Sequence, residues 1–94
     1  METFLAKVPR EGLIMTQNNL ATHFAHNQVV LINLKNFEKI NPKVVVLDLR
    51  EGQNPNNFFP ASFEDAKNLA NDLSTNPLFE KQEEIKNQMI FIHK

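Results

Sequence analysis

Residues 28–51, QVVLINLKNFEKINPKVVVLDLRE, decide how the rest of the chain is read. Gln28–Leu34 and Lys43–Glu51 are rich in Val, Ile and Leu, which favour a pleated, half-buried surface, and Pro42 favours extended geometry just before the second run. Two strands follow. The link between them, Lys35–Asn41, is short for a crossover between parallel strands, which needs a dozen or more residues, so an antiparallel hairpin is expected. Side chains alternate across a strand, which gives one face carrying Val30, Ile32, Leu34, Val45, Leu47 and Leu49. The opposite face carries Val29, Leu31, Asn33, Val44, Val46, Asp48 and Arg50.

That second face is apolar for half its length, whereas a sheet with one solvated side alternates to polar residues. Val29, Leu31, Val44 and Val46 therefore read as a patch that a second subunit or another protein closes, with Asp48 and Arg50 at its polar rim. Each aliphatic side chain withdrawn from water contributes roughly 1.5–3 kcal/mol in transfer terms, before association entropy is subtracted. The other arrangement is three-layered, with the protein's own helices on this face.

Outward from these strands, Thr3–Val8 reads as a strand closed by Pro9 and the Arg10-Glu11-Gly12 turn. From Leu13 to about His26, the residues Leu13, Leu20, Ala21 and Phe24 share one helical face, with Ile14 and Ala25 at its edge. The alternative is a shorter helix capped by Thr16, which leaves Leu13–Met15 extended. Gly52–Ala61 (GQNPNNFFPA) is an irregular loop by its Gly, Pro and Asn content. Ser62 opens a helix, with Asp65 completing a capping box and Phe63, Ala66, Leu69, Ala70 and Leu73 forming the apolar stripe. Ser74-Thr75-Asn76 breaks it, and Pro77 to about Gln88 reads as a second short helix. Met89–Lys94 fits either a continued helical face or a buried strand, and the strand is preferred. The order β-α-β-β-α-(α)-β matches a ferredoxin-like split βαβ fold: α+β, one domain over 1–94, with a mainly antiparallel sheet.

Composition narrows the chemistry. With 94 residues the chain has room for one core, and its 41% hydrophobic and 22% charged content is that of a folding sequence. It has no Cys, which excludes disulfides, thiolate nucleophiles and cysteine-ligated zinc. The net charge of -1 supplies no field that draws the whole chain to phosphates. No apolar run approaches the ~20 residues of a membrane span, and Glu2 stands where a secretion signal is basic, so a cytoplasmic protein is expected.

Each candidate for chemistry has a plainer reading beside it. His23 and His26 are three apart on the expected helix, but HxxH without a following Glu matches no zinc motif, and imidazoles near a helix C-terminus are favoured by its dipole. Asp48 at a strand end is placed to hold Mg²⁺ in a small nuclease; as an exposed carboxylate opposite Arg50 or Lys43 it is merely structural. Phe37 among Lys35, Lys39 and Lys43 makes a basic-aromatic tip suited to nucleic acid, or a loop Phe tucked over the core. In the 52–61 loop, Asn56, Asn57 and Phe58 combine amide hydrogen bonding with an aromatic anchor, although at least one of Phe58 and Phe59 is expected to cap the core. Both serines, Ser62 and Ser74, read as caps, and two isolated glycines cannot form a phosphate cradle. The expectation is a non-enzymatic adaptor, regulator or inhibitor that binds a protein partner and forms a homodimer, with no cofactor. The alternatives are a nucleic-acid-binding factor and an Asp48-dependent nuclease.

Overall fold

A computed structural model describes residues 2–24 and 26–94. Its sheet has five strands: β1 (Ile14–Thr16), β2 (Val29–Leu31), β3 (Val44–Asp48), β4 (Phe79–Ile85) and β5 (Gln88–His93), in the order β2-β1-β3-β5-β4. Strand β1 runs parallel to both β2 and β3, while β5 pairs antiparallel with β3 and β4. The helices are α1 (Glu2–Leu5), α2 (Asn18–Ala21), α3 (Phe37–Ile40) and α4 (Phe63–Thr75). This is an α+β protein, but its sheet is mixed rather than mainly antiparallel, and its elements do not follow the order β-α-β-β-α-(α)-β.

The difference begins at Ile14–Thr16. Three apolar or β-branched residues are too few to show a period, and Leu20 and Phe24 beyond them suggest one long helix from Leu13. Instead the chain is extended to Thr16, Gln17 takes the N-cap position, and a single helical turn follows, one residue beyond the Thr16-capped alternative. The edge position expected for Ala25 lies outside the described residues. Once β1 exists, it fills the slot between β2 and β3, so no hairpin joins those two. Strand β2 stops at Leu31, leaving residues 32–43 as the connection, long enough for a parallel crossover through α3. Gly12 is indispensable at the entry to β1, since its φ is +76° and an added Cβ would fall 2.8 Å from Lys43 Cβ.

Two further elements differ from the sequence reading. Thr3–Val8 is no strand: Phe4, Leu5 and Val8, spaced i, i+1, i+4, turn one buried face toward the sheet from α1 and the turn after it. Pro77–Gln88 is no helix. Its Glu, Lys and Gln residues favour helix locally, yet Phe79–Ile85 pairs along β5 through the turn Lys86-Asn87, whose φ values of 48° and 66° suit a tight hairpin. Charged side chains along β4 and the register shift between Lys81 and Glu83 are the usual protection of an exposed sheet edge. Helix α4 begins as read, with Ser62 Oγ accepting from Asp65 N–H at 3.1 Å and Asp65 accepting from Ser62 N–H at 3.2 Å. The strand reading of the C-terminal segment also holds, over Gln88–His93.

Both faces of the sheet are roofed. The connection from β1 to β2 moves outward and the one from β2 to β3 returns across β1, so a common handedness puts them on opposite faces. On one side Phe4, Leu5, Val8, Leu20 and Phe24 cover Ile14, Val44, Val46 and Ile90. On the other, α4 and Phe58 cover Met15, Val45, Leu47 and Phe91, with α3 packed at the margin. Val44 and Val46 are therefore fully buried under the protein's own N-terminal segment, which corrects the expectation of a partner there. Val46→Asp places an unpaired carboxylate in that core at a cost of at least about 4 kcal/mol, against about 5–15 kcal/mol of total stability for a typical domain. The expected outcome in urea denaturation followed by circular dichroism is a lost or severely shifted cooperative transition. Val29→Asp, at a half-buried position, should keep its transition.

Candidate docking site at the carboxyl end of the parallel strands

Neighbouring strands β1 and β3 end at the same edge, where crossover connections leave open main-chain groups, and polar side chains satisfy them. Gln17, directly after β1, is fully buried. Its Oε1 accepts from Asp48 N–H at 2.7 Å, and its Nε2 donates to Asn19 Oδ1 at 2.9 Å and to Gln53 Oε1 at 3.3 Å. Gln53 Nε2 in turn donates to the carbonyls of Asp48 (3.0 Å) and Arg50 (2.6 Å), and Asn57 Nδ2 donates to Gln53 Oε1 at 3.0 Å. Two glutamine amides thus clamp the end of β3 between the loop after β1 and the loop after β3.

Asp48 is the one buried acid among the described residues, and both its oxygens are taken. Arg50 Nε donates to Oδ1 at 2.9 Å and Nη2 to Oδ2 at 2.7 Å, the bidentate geometry of a strong carboxylate pair. Hydrogen bonding to Asp48 raises the pKa of the Arg50 guanidinium above its ordinary value, with desolvation opposing the rise and the negative charge of Asp48 adding to it. A carboxylate engaged on both oxygens serves to order the loop. The Asp48–Arg50 pair, Gly52 and Asn57 line a shallow concavity of about 350 Å³.

The loop beyond is held from within. Asn54 Oδ1 accepts from Asn56 N–H at 2.9 Å and Asn18 Nδ2 reaches the Asn56 carbonyl at 3.3 Å. Phe58 is 1% exposed and meets Phe63 edge-on at 5.4 Å. Its neighbour Phe59 is 63% exposed. A large apolar side chain therefore stands in water on a loop whose backbone is fixed on both sides. Beside it, Pro60 and Ala61 border a depression of about 360 Å³ shared with Ile32, Asn33 and Lys35, the chain just leaving β2.

Strand β2 is an edge of the sheet, and its hydrogen-bonding direction can be worked out. Ile14 N–H donates to Gln28 O at 2.8 Å and Ile32 N–H to Thr16 O at 3.2 Å, so residues 28 and 32 face β1. Main-chain groups alternate sides along a strand, which turns the N–H and C=O of Val29 and Leu31 to the open edge. Both side chains are half-buried.

The residues singled out in the sequence therefore fall into three groups. Val44 and Val46 are core, and Phe58 is the Phe that caps it. Asp48, Arg50 and Asn57 join one network, with Asn56 on its outer turn and Val29 and Leu31 on the adjoining edge. Lys35, Lys39 and Lys43 form no stacking platform: Phe37 leans on Phe79 with ring centroids 5.7 Å apart, and Lys43 Nζ donates to the His93 carbonyl at 2.7 Å. His23 and His26 are exposed, and among the described residues no three His, Asp or Glu side chains gather to hold a metal ion. Gln17 and Gln53 are absent from the sequence reading, since nothing in a sequence marks a glutamine whose amide will clamp a strand end. Comparison with family models, curated proteins and solved structures finds no match to this chain.

Gln17→Leu keeps the volume and removes the clamp, leaving the Asp48 N–H buried without its acceptor, a cost of about 1–3 kcal/mol. Urea denaturation should show a lower midpoint at unchanged slope, and hydrogen exchange should speed up at Asp48 and across Gln53–Asn57.

Proposed function

We propose that this chain is a non-enzymatic protein-binding module that takes an extended segment of its partner along the open edge of β2, with Phe59 as the anchor beside it. The observation that carries this reading is the 63% exposure of Phe59 on a loop locked by Gln53, Asn54 and the buried Phe58. A rigid exposed aromatic loses little freedom on binding, which is why such residues dominate interface energetics. The outward main-chain groups of Val29 and Leu31 supply the second half of the interface. Strand addition gives affinity through the backbone, and a neighbouring pocket gives specificity through a side chain. The depression between Ile32 and Pro60 is placed to be that pocket. Engagement of the Asp48 carboxylate by Arg50 favours binding over the nuclease alternative, and packing of Phe37 against Phe79 disfavours nucleic-acid stacking.

Two variants test it without touching the core. Phe59→Ala removes the anchor. Leu31→Pro removes an N–H that points away from β1, a position where an edge strand tolerates proline. Each should lower affinity for the partner at least about tenfold, or about 1.4 kcal/mol, while the thermal transition shows the fold retained. The measurement is capture from the source cell with wild-type chain as bait, then calorimetry on the purified pair. If the partner is a second copy, light scattering should show the dimer of the wild type becoming monomer in both variants. Retention of nucleic acid in place of protein, or variants that bind as the wild type does, would refute the reading.

A further inference from the structure

At the far end of α4 from the docking loop, a cleft of about 530 Å³ opens between α3, the last turn of α4 and the β4–β5 hairpin. Its floor is Leu69, Leu73 and Phe79, all buried. One wall is Phe37, tilted against Phe79, and His93 packs edge-on to Phe79 with centroids 4.9 Å apart. The lip is unusual. Leu78 is 57% exposed although its main chain is pinned on both sides, its N–H donating to Asn76 Oδ1 at 2.9 Å and its carbonyl accepting from Lys94 N–H at 2.8 Å. A leucine on so fixed a backbone is held in water beside an apolar floor.

The charge of this cleft has one sign. Glu38 from α3 and Asp72 from α4 both line it, and among the described residues no Lys or Arg does. Among the described residues neither carboxylate joins an ion pair, whereas Glu83, Glu84 and Asp48 elsewhere each have a cationic partner. The volume lies within the roughly 300–1,000 Å³ of small-molecule sites, and an apolar floor with a few polar groups at the mouth is their usual composition.

We propose that this cleft binds a small organic ammonium ion: an aromatic or branched aliphatic body lies on Leu73, Phe79 and Phe37 beneath Leu78, and its protonated amine meets Glu38 and Asp72. Two carboxylates without a cationic partner favour such a head group, and the apolar floor favours its hydrocarbon body. This site is separate from the β2 edge, so neither reading stands or falls with the other.

The test is an NMR titration of the full chain with 2-phenylethylammonium, 2-phenylethanol and 3-phenylpropionate, which share a ring and differ in charge. The ammonium should give saturable shifts confined to Phe37, Leu69, Leu73, Phe79 and His93, with a dissociation constant on the order of millimolar. The alcohol should bind about fivefold more weakly and the carboxylate weaker still. In the doubly substituted Glu38→Gln, Asp72→Asn chain, both exposed positions, the ammonium should fall to the level of the alcohol. Leu78→Ser, also exposed, should weaken ammonium and alcohol alike, about threefold. No saturable binding, equal binding of the three probes, shifts outside the cleft, or selectivity that survives the double substitution would each overturn the proposal.

Discussion

Water is excluded from both faces of β3, and supplying two roofs to one strand shapes the rest of the molecule. Every residue from Val44 to Asp48 is buried. A sheet of this kind ordinarily belongs to a longer chain with a full helix on each face. Here one roof is the long amphipathic α4, and the other is assembled from pieces too short to be stable alone: the turn of α1, the turn of α2 and the 22–24 turn after it. Those pieces are held by Phe4, Leu5, Val8, Leu20 and Phe24 entering one cluster with Ile14, Val44, Val46 and Ile90. Tertiary packing, not helix propensity, makes them structure.

The same constraint explains which parts of the fold are legible in the sequence. A fully buried strand reads as a continuous Val/Leu run, so β3 is plain, and so is α4, whose stripe, cap and acidic first turn all agree. The apolar second face of β3 also announces that it needs a cover. What covers it is not legible, because Phe4, Leu5 and Val8 fit a strand and a helical turn equally well over so short a span. Missing the three residues of β1 then propagates: without a strand between β2 and β3, a hairpin is the only arrangement a short link allows. The β4 segment misleads for a different reason. Phe79–Ile85 is an edge strand whose charges guard it from other chains, and those residues are also good helix formers.

At the candidate site, the structure gathers several of the residues singled out in the sequence and gives them contacts that the sequence does not show. Asp48 and Arg50 read as the rim of an apolar interface, but they form a bidentate pair that stiffens the strand end. The loop of Asn56, Asn57 and Phe58 is likewise present, with the roles of its aromatics exchanged: the first Phe is driven into the core against Phe63, and that burial lifts the second into water. Which of two adjacent Phe residues goes inward depends on the direction of the chain entering Ser62, a tertiary quantity. The amides that brace this loop, the buried Gln17 and the half-buried Gln53, carry no sequence signature.

A pattern of division follows. The amide clamp lies at one end of α4 and the acidic, aromatic cleft at the other, and the helix between them is the most self-sufficient element in the chain, with both capping-box bonds made. The floor of the cleft, Leu69 and Leu73, is held by burial in the core cluster that also contains Phe58 and Phe91. The polar end is rigid because its hydrogen bonds are satisfied internally, which leaves Phe59 and the β2 edge as its unsatisfied surface. The cleft end is the reverse: Leu78 stands exposed at its lip and its two carboxylates have no cationic partner among the described residues. The two proposed partners differ in kind, an extended backbone for one end and a compact cation for the other, and α4 keeps the two proposed sites apart.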